Sequence, residues 1–229
     1  MTETANDSLF ETVLASTVHD MKNSLSLLLA RLEEISLQLE PEPRMQQPVA
    51  ALHYEAGRIN MLLMQLLSLY KLDRRQLTVN PVEVDVIAFA EDCIAAHAPA
   101  AEQGGIRLEL DCDEDLIGFF DPDLIGIAIN NILGNSIRYS RSRVRLSVTP
   151  QGRGMDFIIA DDGAGYPAEM IDRPGEYATR IDSSSGSTGL GLFFSDTVAR
   201  LHRRGERRGH IELGNGAPLG GGCFRLSLP

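Results

Sequence analysis

Apolar residues recur along the first third of the chain at alternating spacings of four and three: Phe10, Leu14, Thr17 or Val18, Met21, Leu25, Leu28, Leu32, Ile35 and Leu39. That spacing predicts a heptad-patterned helix. Asp7 or Ser8 supplies its N-cap with Glu11 placed for a capping box, and Pro41 and Pro43 end it because proline has no N–H to donate. The span is about 30 residues, or roughly 45 Å at ~1.5 Å per residue. A second seam follows in Val49, Leu52, Ala56, Ile59, Leu63, Leu66 and Tyr70, ending near Asp73-Arg74-Arg75. Two long helices joined by a short Pro-rich loop at Glu40–Pro48 make an antiparallel hairpin. Each also carries apolar residues beside its seam, Val13, Leu27, Leu29 and Leu37 on one and Leu62, Met64, Leu67 and Leu69 on the other. That width exceeds what one hairpin buries, so two copies are expected to associate as a four-helix bundle, making a homodimer.

After Pro81 the texture changes. Val82–Ala98 reads as a short strand and then a helix, Ile106–Asp111 as a strand, Asp121–Ser140 as a helix, and Arg143–Thr149 with Met155–Ala160 as a strand pair. Glycine-rich segments follow, then a helix from Leu190 to Arg203 and a terminal hairpin of Ile211–Gly214 and Phe224–Leu228. Helices alternating with mostly antiparallel strands suggest an α+β layer structure. The boundary falls in Leu72–Asn80, giving a helical domain of residues 1–76 and a second domain of 77–229.

The chain has 229 residues, 43% hydrophobic and 23% charged, enough for one large or two small cores and far from a disordered composition. Its net charge of −11 repels phosphate backbones and anionic membrane surfaces, which argues against nucleic acid as a partner. The longest uncharged stretch, Leu124–Ile137, falls short of the roughly 18 residues a bilayer span needs, as does the apolar run Ile59–Tyr70. Met1–Asp7 is acidic and polar with no apolar core of a secretory signal, so no membrane association and a cytoplasmic location are the expectation. Cys93, Cys112 and Cys223 lack the paired spacing of a zinc or redox site and read as reduced, mostly buried small hydrophobes.

Three polar clusters in the second domain call for chemistry. Asn131 and Asn135 lie one turn apart on a helix face, with Arg138 and Tyr139 just beyond, and Asn carbonyl oxygens are suitable hard ligands for Mg²⁺. An apolar strand ending at Ala160 runs into Asp161-Asp-Gly163-Ala-Gly165. The alternate glycines let backbone approach a flat ligand, and the carboxylate can accept from an exocyclic amine. Gly186-Ser-Thr188-Gly189-Leu190-Gly191 heads a helix, where backbone N–H groups and the positive helix end form a phosphate cradle. Each cluster has a plainer reading: a polar helix edge, an Asp-Gly turn, a flexible loop.

Their order decides between the readings. An Asn-x-x-x-Asn helix, a strand ending in Asp-x-Gly-x-Gly, and a Ser- and Gly-rich segment closing in Gly-x-Gly-Leu at a helix start resemble the ATP-binding domain shared by gyrase, Hsp90, histidine kinases and MutL. The hairpin upstream contains Ser16-Thr-Val-His19-Asp20-Met-Lys-Asn23, which resembles the phosphoacceptor box of two-component sensor histidine kinases. The resemblance covers essentially the whole chain. It implies a helical hairpin forming a dimeric bundle, followed by an α/β-sandwich ATP-binding domain with a mixed, mostly antiparallel sheet. It implies ATP and Mg²⁺ as cofactors, phosphorylation of His19, transfer to an Asp of a response-regulator receiver domain, and reversal of that step through Asn23. By the family's pattern Asp20 hydrogen-bonds the imidazole, and a His near its ordinary pKa of ~6.5 keeps one ring nitrogen free to attack phosphorus. Asn135 stands where Mg²⁺ is bound, with Asn131 beside it. Arg138 stands where a basic residue contacts phosphate, and Tyr139 where an aromatic lines the nucleotide. Asp161 would receive the adenine amino group, Gly163 and Gly165 would admit the ring, and Thr188, Gly189, Leu190 and Gly191 would place the triphosphate at a helix N-terminus.

The chain departs from the pattern in places. Ser24 replaces the usual proline after Asn23, the segment between Gly165 and Gly186 lacks the usual pair of phenylalanines and holds Tyr177 beyond Tyr166, and an extra basic stretch, Arg203-Arg204-Gly-Glu-Arg207-Arg208, reads as a solvated loop. Only 18 residues precede His19, so input is expected in trans from a separate sensory protein. Two other readings remain: a histidine phosphotransfer or scaffold protein with an inactive ATP domain, and a Ser/Thr kinase of the anti-sigma type, which leaves the His19 hairpin unexplained.

Overall fold

The computed structural model describes residues 21, 23–32, 34–35, 43–73, 77–152, 154–172, 190–216 and 218–229. His19, Asp20, Thr188 and Gly189 lie outside the described residues. The chain divides into two compact units, Met1–Thr78 and Val79–Pro229.

In the first unit residues 23–32 are helical, and helix α1 spans Pro43–Asp73. Residues 43–48 of the loop expected at Glu40–Pro48 are instead helical, because α1 starts at Pro43 and carries Pro48 inside it. Proline fits the first turn, where the N–H is unpaired in any case, and Pro48 forfeits one internal bond. The second seam also divides. Val49 and Ala56 are buried together with the polar Gln65 and Ser68, whereas Leu52, Ile59 and Leu66, seven residues apart, are exposed. Met21, Leu28 and Ile35 repeat the same interval on the earlier segment and are exposed as well.

The second unit is a two-layer α/β domain. Its elements in order are β1 (Val82–Asp85), α2 (Val86–Gly104), β2 (Arg107–Cys112), β3 (Ile117–Phe120), α3 (Pro122–Tyr139), β4 (Arg143–Gln151) and β5 (Gly154–Asp161). They continue as α4 (Ala168–Asp172), α5 (Leu190–Leu201), β6 (Arg203–Arg204), β7 (Arg207–Arg208), β8 (His210–Asn215) and β9 (Gly222–Leu228). Five strands form a sheet in the order β2-β4-β5-β9-β8, with β2 parallel to β4 and every other pair antiparallel. The mixed, mostly antiparallel sheet expected from the sequence is present.

Register fixes which side chains share a face. Leu146 pairs with Ile159, Ile159 with Phe224 and Phe224 with Leu213; Val148, Phe157, Leu226 and Ile211 form the next row. All are buried, and α3 and α5 cover them with Ile125, Ile129, Ile132, Leu133, Phe194 and Val198. The opposite face is charged: Glu109 lies beside Arg145 at 2.8 Å and Glu212 beside Arg225 at 3.5 Å. Phe89, Phe120 and Phe157 meet edge-to-face, with ring centroids 5.2 to 6.0 Å apart, where α2 and β3 join the core.

Side chains set the helix ends. Asp85 caps α2 by accepting from the Ala88 N–H, and Gly105, at φ 67, ends it by donating to Ala101 and Glu102. Asp121 caps α3 by accepting from Leu124 N–H at 3.1 Å, with Pro122 in the first turn. Its second oxygen accepts from Asn80 N–H at 2.9 Å.

Among the described residues four elements have no counterpart in the hydrophobic pattern. Strand β3 pairs with β1 as a separate two-stranded sheet, α4 is a single turn, and the basic stretch folds as the β6–β7 hairpin about Gly205 at φ 62. The arginines are solvated as expected, on a paired backbone rather than a loop. Helix α5 ends at Leu201, two residues before the expected Arg203.

Candidate functional site

The site is built at the end of β5 and along one face of α3. Asp161 is the last residue of β5 and is buried. Its Oδ1 accepts from Gly163 N–H at 2.8 Å and from Gly222 N–H at 3.0 Å. With one oxygen held twice by main chain, Oδ2 is the acceptor left for an incoming donor. A Cβ on Gly222 would stand 2.8 Å from that oxygen, so the approach requires glycine. Gly221 N–H also donates to the Asp161 carbonyl, at 3.0 Å, fastening the β8–β9 turn to the same strand end. Burial, reinforced by the Asp161 charge and by Cys223, pushes the Tyr166 phenol well above its ordinary range.

The loop after Asp161 is fixed from its other flank by Asp162. Its Oδ1 accepts from the N–H groups of Arg141, Ser142 and Arg143 at 2.8, 3.0 and 3.1 Å, and its Oδ2 from Ser142 Oγ at 2.6 Å. The Ser142 hydroxyl and these amides hold the carboxyl well below the usual carboxylate range. This nest draws the end of α3 onto the loop: a Cβ on Gly163 would strike the Tyr139 carbonyl. Gly165 has φ 81, a left-handed conformation that favours glycine.

Helix α3 supplies the connection to the second glycine cluster. Asn131, Asn135 and Tyr139 stand at successive intervals of four on one face. At one end a Cβ on Gly191, in the first turn of α5, would collide with the Asn131 amide. At the other end the main-chain carbonyl of Tyr139 lies against Gly163. Eight residues of helix, roughly 12 Å, separate the two contacts. Asn135 sits between them and is exposed. Tyr139 is exposed too, and the Arg138 guanidinium lies 5.7 Å from its ring centroid. Leu190 opens α5, and Ser195 Oγ donates to the Gly191 carbonyl at 2.9 Å.

The residues present fit a magnesium ion carried by a phosphate ligand. No three His, Cys, Asp or Glu side chains converge on a metal position among the described residues, so a cation here would rely on one Asn carbonyl, waters and ligand oxygens. Nδ2 of Asn131 is buried without a hydrogen-bond partner beside Gly191, a donor suited to an anionic oxygen. No helix among the described residues is long and apolar enough to cross a membrane.

Of the residues singled out from the sequence, Asp161, Gly163 and Gly165 form one loop, Tyr139 joins it, and Asn131, Leu190 and Gly191 meet at the start of α5. Sequence reasoning missed Asp162, Ser142 and Gly222, whose contacts bridge 20 and 61 positions and leave no local signal.

Residues 120–229 match the family described as histidine kinase-, DNA gyrase B-, and HSP90-like ATPase. The chain is 26% identical over 222 residues to the sensor-like histidine kinase SenX3 of Mycobacterium tuberculosis, covering 94% of this chain and 53% of that protein. It is 25% identical over 229 residues to the adaptive-response sensory kinase SasA of Crocosphaera subtropica, covering 95% and 58% respectively. The chain thus spans about half the length of these curated relatives. Among solved structures it shares its fold with full-length ShkA in complex with AMPPNP, at a TM-score of 0.65 and 20% identity over 95% of this chain and 45% of that one. It also shares it with the Acinetobacter baumannii histidine kinase AdeS, at a TM-score of 0.60 and 20% identity over 92% and 96%.

Proposed function

We propose, from the match of residues 120–229 to the histidine kinase-, DNA gyrase B- and HSP90-like ATPase family and from the similarity of the chain to sensor histidine kinases, that this protein is an ATP-dependent histidine kinase. It phosphorylates His19 and passes the phosphoryl group to an Asp of a response-regulator receiver domain; Asn23 serves the reverse, phosphatase step.

The observation that carries the reading is the Asn-bearing face of α3, which runs from the Asp161 loop at Tyr139 to the head of α5 at Asn131. A base-recognising carboxylate and a helix N-terminus at opposite ends of one helix face suit a ligand with a planar base and a polyphosphate tail. Oδ2 of Asp161 accepts from the adenine amino group, and Gly163 and Gly165 let the ring lie close to backbone. Tyr139 flanks the base and Arg138 reaches the phosphates. The α5 N-terminus, with Thr188, Gly189, Leu190 and Gly191, receives the triphosphate. Asn135 is the protein ligand of Mg²⁺, with Asn131 donating beside it. Magnesium, when bound, neutralises phosphate charge in the loose transition state of phosphoryl transfer.

The helical unit supplies the acceptor and the dimer. Two exposed apolar stripes at seven-residue intervals, Met21/Leu28/Ile35 and Leu52/Ile59/Leu66, match what a second copy buries in a four-helix bundle. Asp20 orients the His19 ring and stabilises the imidazolium as it forms, as a triad carboxylate does.

Incubation with γ-labelled ATP and Mg²⁺ is expected to give acid-labile, base-stable label on the chain, lost in His19→Ala and in Asp161→Asn. Label that persists in His19→Ala would overturn the assignment. A chain that accepts label from a phosphorylated receiver domain but binds no ATP would instead be a relay protein.

A further inference from the structure

Asn215 has no part in the reading so far. Register places it close to the nucleotide loop: Asn215 pairs with Gly222, and Gly222 lies one residue before Cys223, which pairs with Ala160. Gly222 therefore stands between Asp161 and Asn215 across the end of three strands, and its N–H bond to Asp161 Oδ1 keeps it there.

Both polar atoms of the Asn215 side chain are engaged by one residue. The Tyr166 N–H donates to Oδ1 at 2.7 Å, and Nδ2 donates to the Tyr166 carbonyl at 2.8 Å. The amide thus pairs with main-chain N–H and C=O in the pattern a neighbouring strand would offer, to a residue 49 positions away. Gly165 packs against the same group, since a Cβ there would lie 2.6 Å from Oδ1. Few side chains can replace this arrangement. Alanine offers neither bond, and aspartate keeps the acceptor but sets a carboxylate against a carbonyl oxygen.

We propose that Asn215 is a positioning residue of the nucleotide site, holding the Gly163–Tyr166 loop in its base-receiving shape before the ligand arrives. The proposal rests on the nucleotide-binding reading above. Asp162 anchors the front of the loop and Asn215 anchors its back, so the glycines between them remain open to the ring without being free to collapse. A loop ordered in advance spares the ligand the cost of ordering it, and that saving applies only to ligands that use the loop. The phosphate end, at Gly191 and Asn131, does not depend on it.

The test compares ATP with inorganic tripolyphosphate, each with Mg²⁺, titrated calorimetrically into the full chain and into Asn215→Ala and Asn215→Asp. Hydrogen exchange at the Tyr166 amide is followed without ligand. Both substitutions are expected to weaken ATP by about tenfold, the scale of one or two lost hydrogen bonds, to leave tripolyphosphate within about twofold, and to speed exchange at Tyr166. Unchanged ATP affinity in both variants overturns the proposal. So does equal weakening of ATP and tripolyphosphate, which marks a merely structural role. A wild-type chain that binds no ATP overturns the nucleotide reading instead, and unchanged Tyr166 exchange in the variants would then remove the clamp as well.

Discussion

The backbone N–H of Asp121 donates to Nε2 of His202 at 3.0 Å, while Nδ1 of the same ring faces the Val198 carbonyl at 2.8 Å. Accepting at Nε2 requires that nitrogen to carry no proton, so the buried ring is held neutral with its hydrogen on Nδ1. One histidine thereby joins the end of α5 to the cap of α3, the two helices that frame the candidate site.

A pH dependence follows. Burial lowers the His202 pKa, against smaller opposing effects of the Val198 carbonyl and Asp121, and burial lowers that of His97 as well. A histidine titrating lower when folded binds fewer protons than in the unfolded chain. Its stabilisation is present above the unfolded value of ~6.5 and is lost as pH falls below it, by up to about 1.4 kcal/mol per pH unit for each ring. Urea unfolding at pH 7.5, 6.5 and 5.5 is expected to show stability falling with acidity, less steeply in His202→Gln. Equal slopes in the two proteins would remove His202 from the account.

Asp162 answers a different acid range. Its carboxyl titrates well below the usual value, so its contribution is present above the unfolded value of ~3.9 and is lost as pH falls through the folded one. Asp162→Ala removes the acceptor of three main-chain amides and a hydroxyl, and is expected to lower the melting temperature by about 3–6 °C at pH 7. Thermal melts should show that gap narrowing at pH 3.

A glycine of the nucleotide loop and one of the neighbouring strand β8 differ in what surrounds them. A methyl on Gly163 meets the Tyr139 carbonyl, whereas one on Gly214 meets nothing within 4 Å. Gly163→Ala is therefore expected to weaken ATP by more than tenfold, a loss of about 1.4 kcal/mol or more, and Gly214→Ala to leave it unchanged. Fluorescent-nucleotide titration of the two variants side by side decides the point.

Metal dependence isolates Asn135. Asn135→Ala is expected to abolish the gain in ATP affinity that Mg²⁺ brings, while binding measured in EDTA stays at the wild-type level. Isothermal titration with and without the ion separates this from general damage to the site.

Much of the site was legible because its chemistry depends on local spacing. Asn131 and Asn135 share a face by helix periodicity, and Asp161-x-Gly163-x-Gly165 declares itself at a strand end. The contacts that hold those residues in place depend on long-range pairing that no local pattern encodes. Asp162 reaches back some 20 residues to Ser142, and Asn215 reaches 49 residues to Tyr166. Strand β3 was invisible for a related reason: Ile117-Gly-Phe-Phe120 is too short to show alternation and is specified by pairing to β1 and by Phe120 filling the aromatic cluster. On the helical side, periodicity predicted a helix through Val49–Tyr70 but could not distinguish the buried Val49 and Ala56 from the exposed Leu52 and Ile59, which belong to one seam in sequence.

The position of β9 bears on how the domain comes into being. This strand lies inside the sheet, between β5 and β8, yet it is the last of the five to leave the ribosome. Until residues 222–228 emerge, β5 and β8 have bare edges and Asp161 lacks the Gly222 amide that orients it. A nascent chain halted before that strand would expose apolar surface and lack the amide that orients the base-recognising carboxylate, so recognition of the base follows translation of β9 rather than guiding the folding of what precedes it.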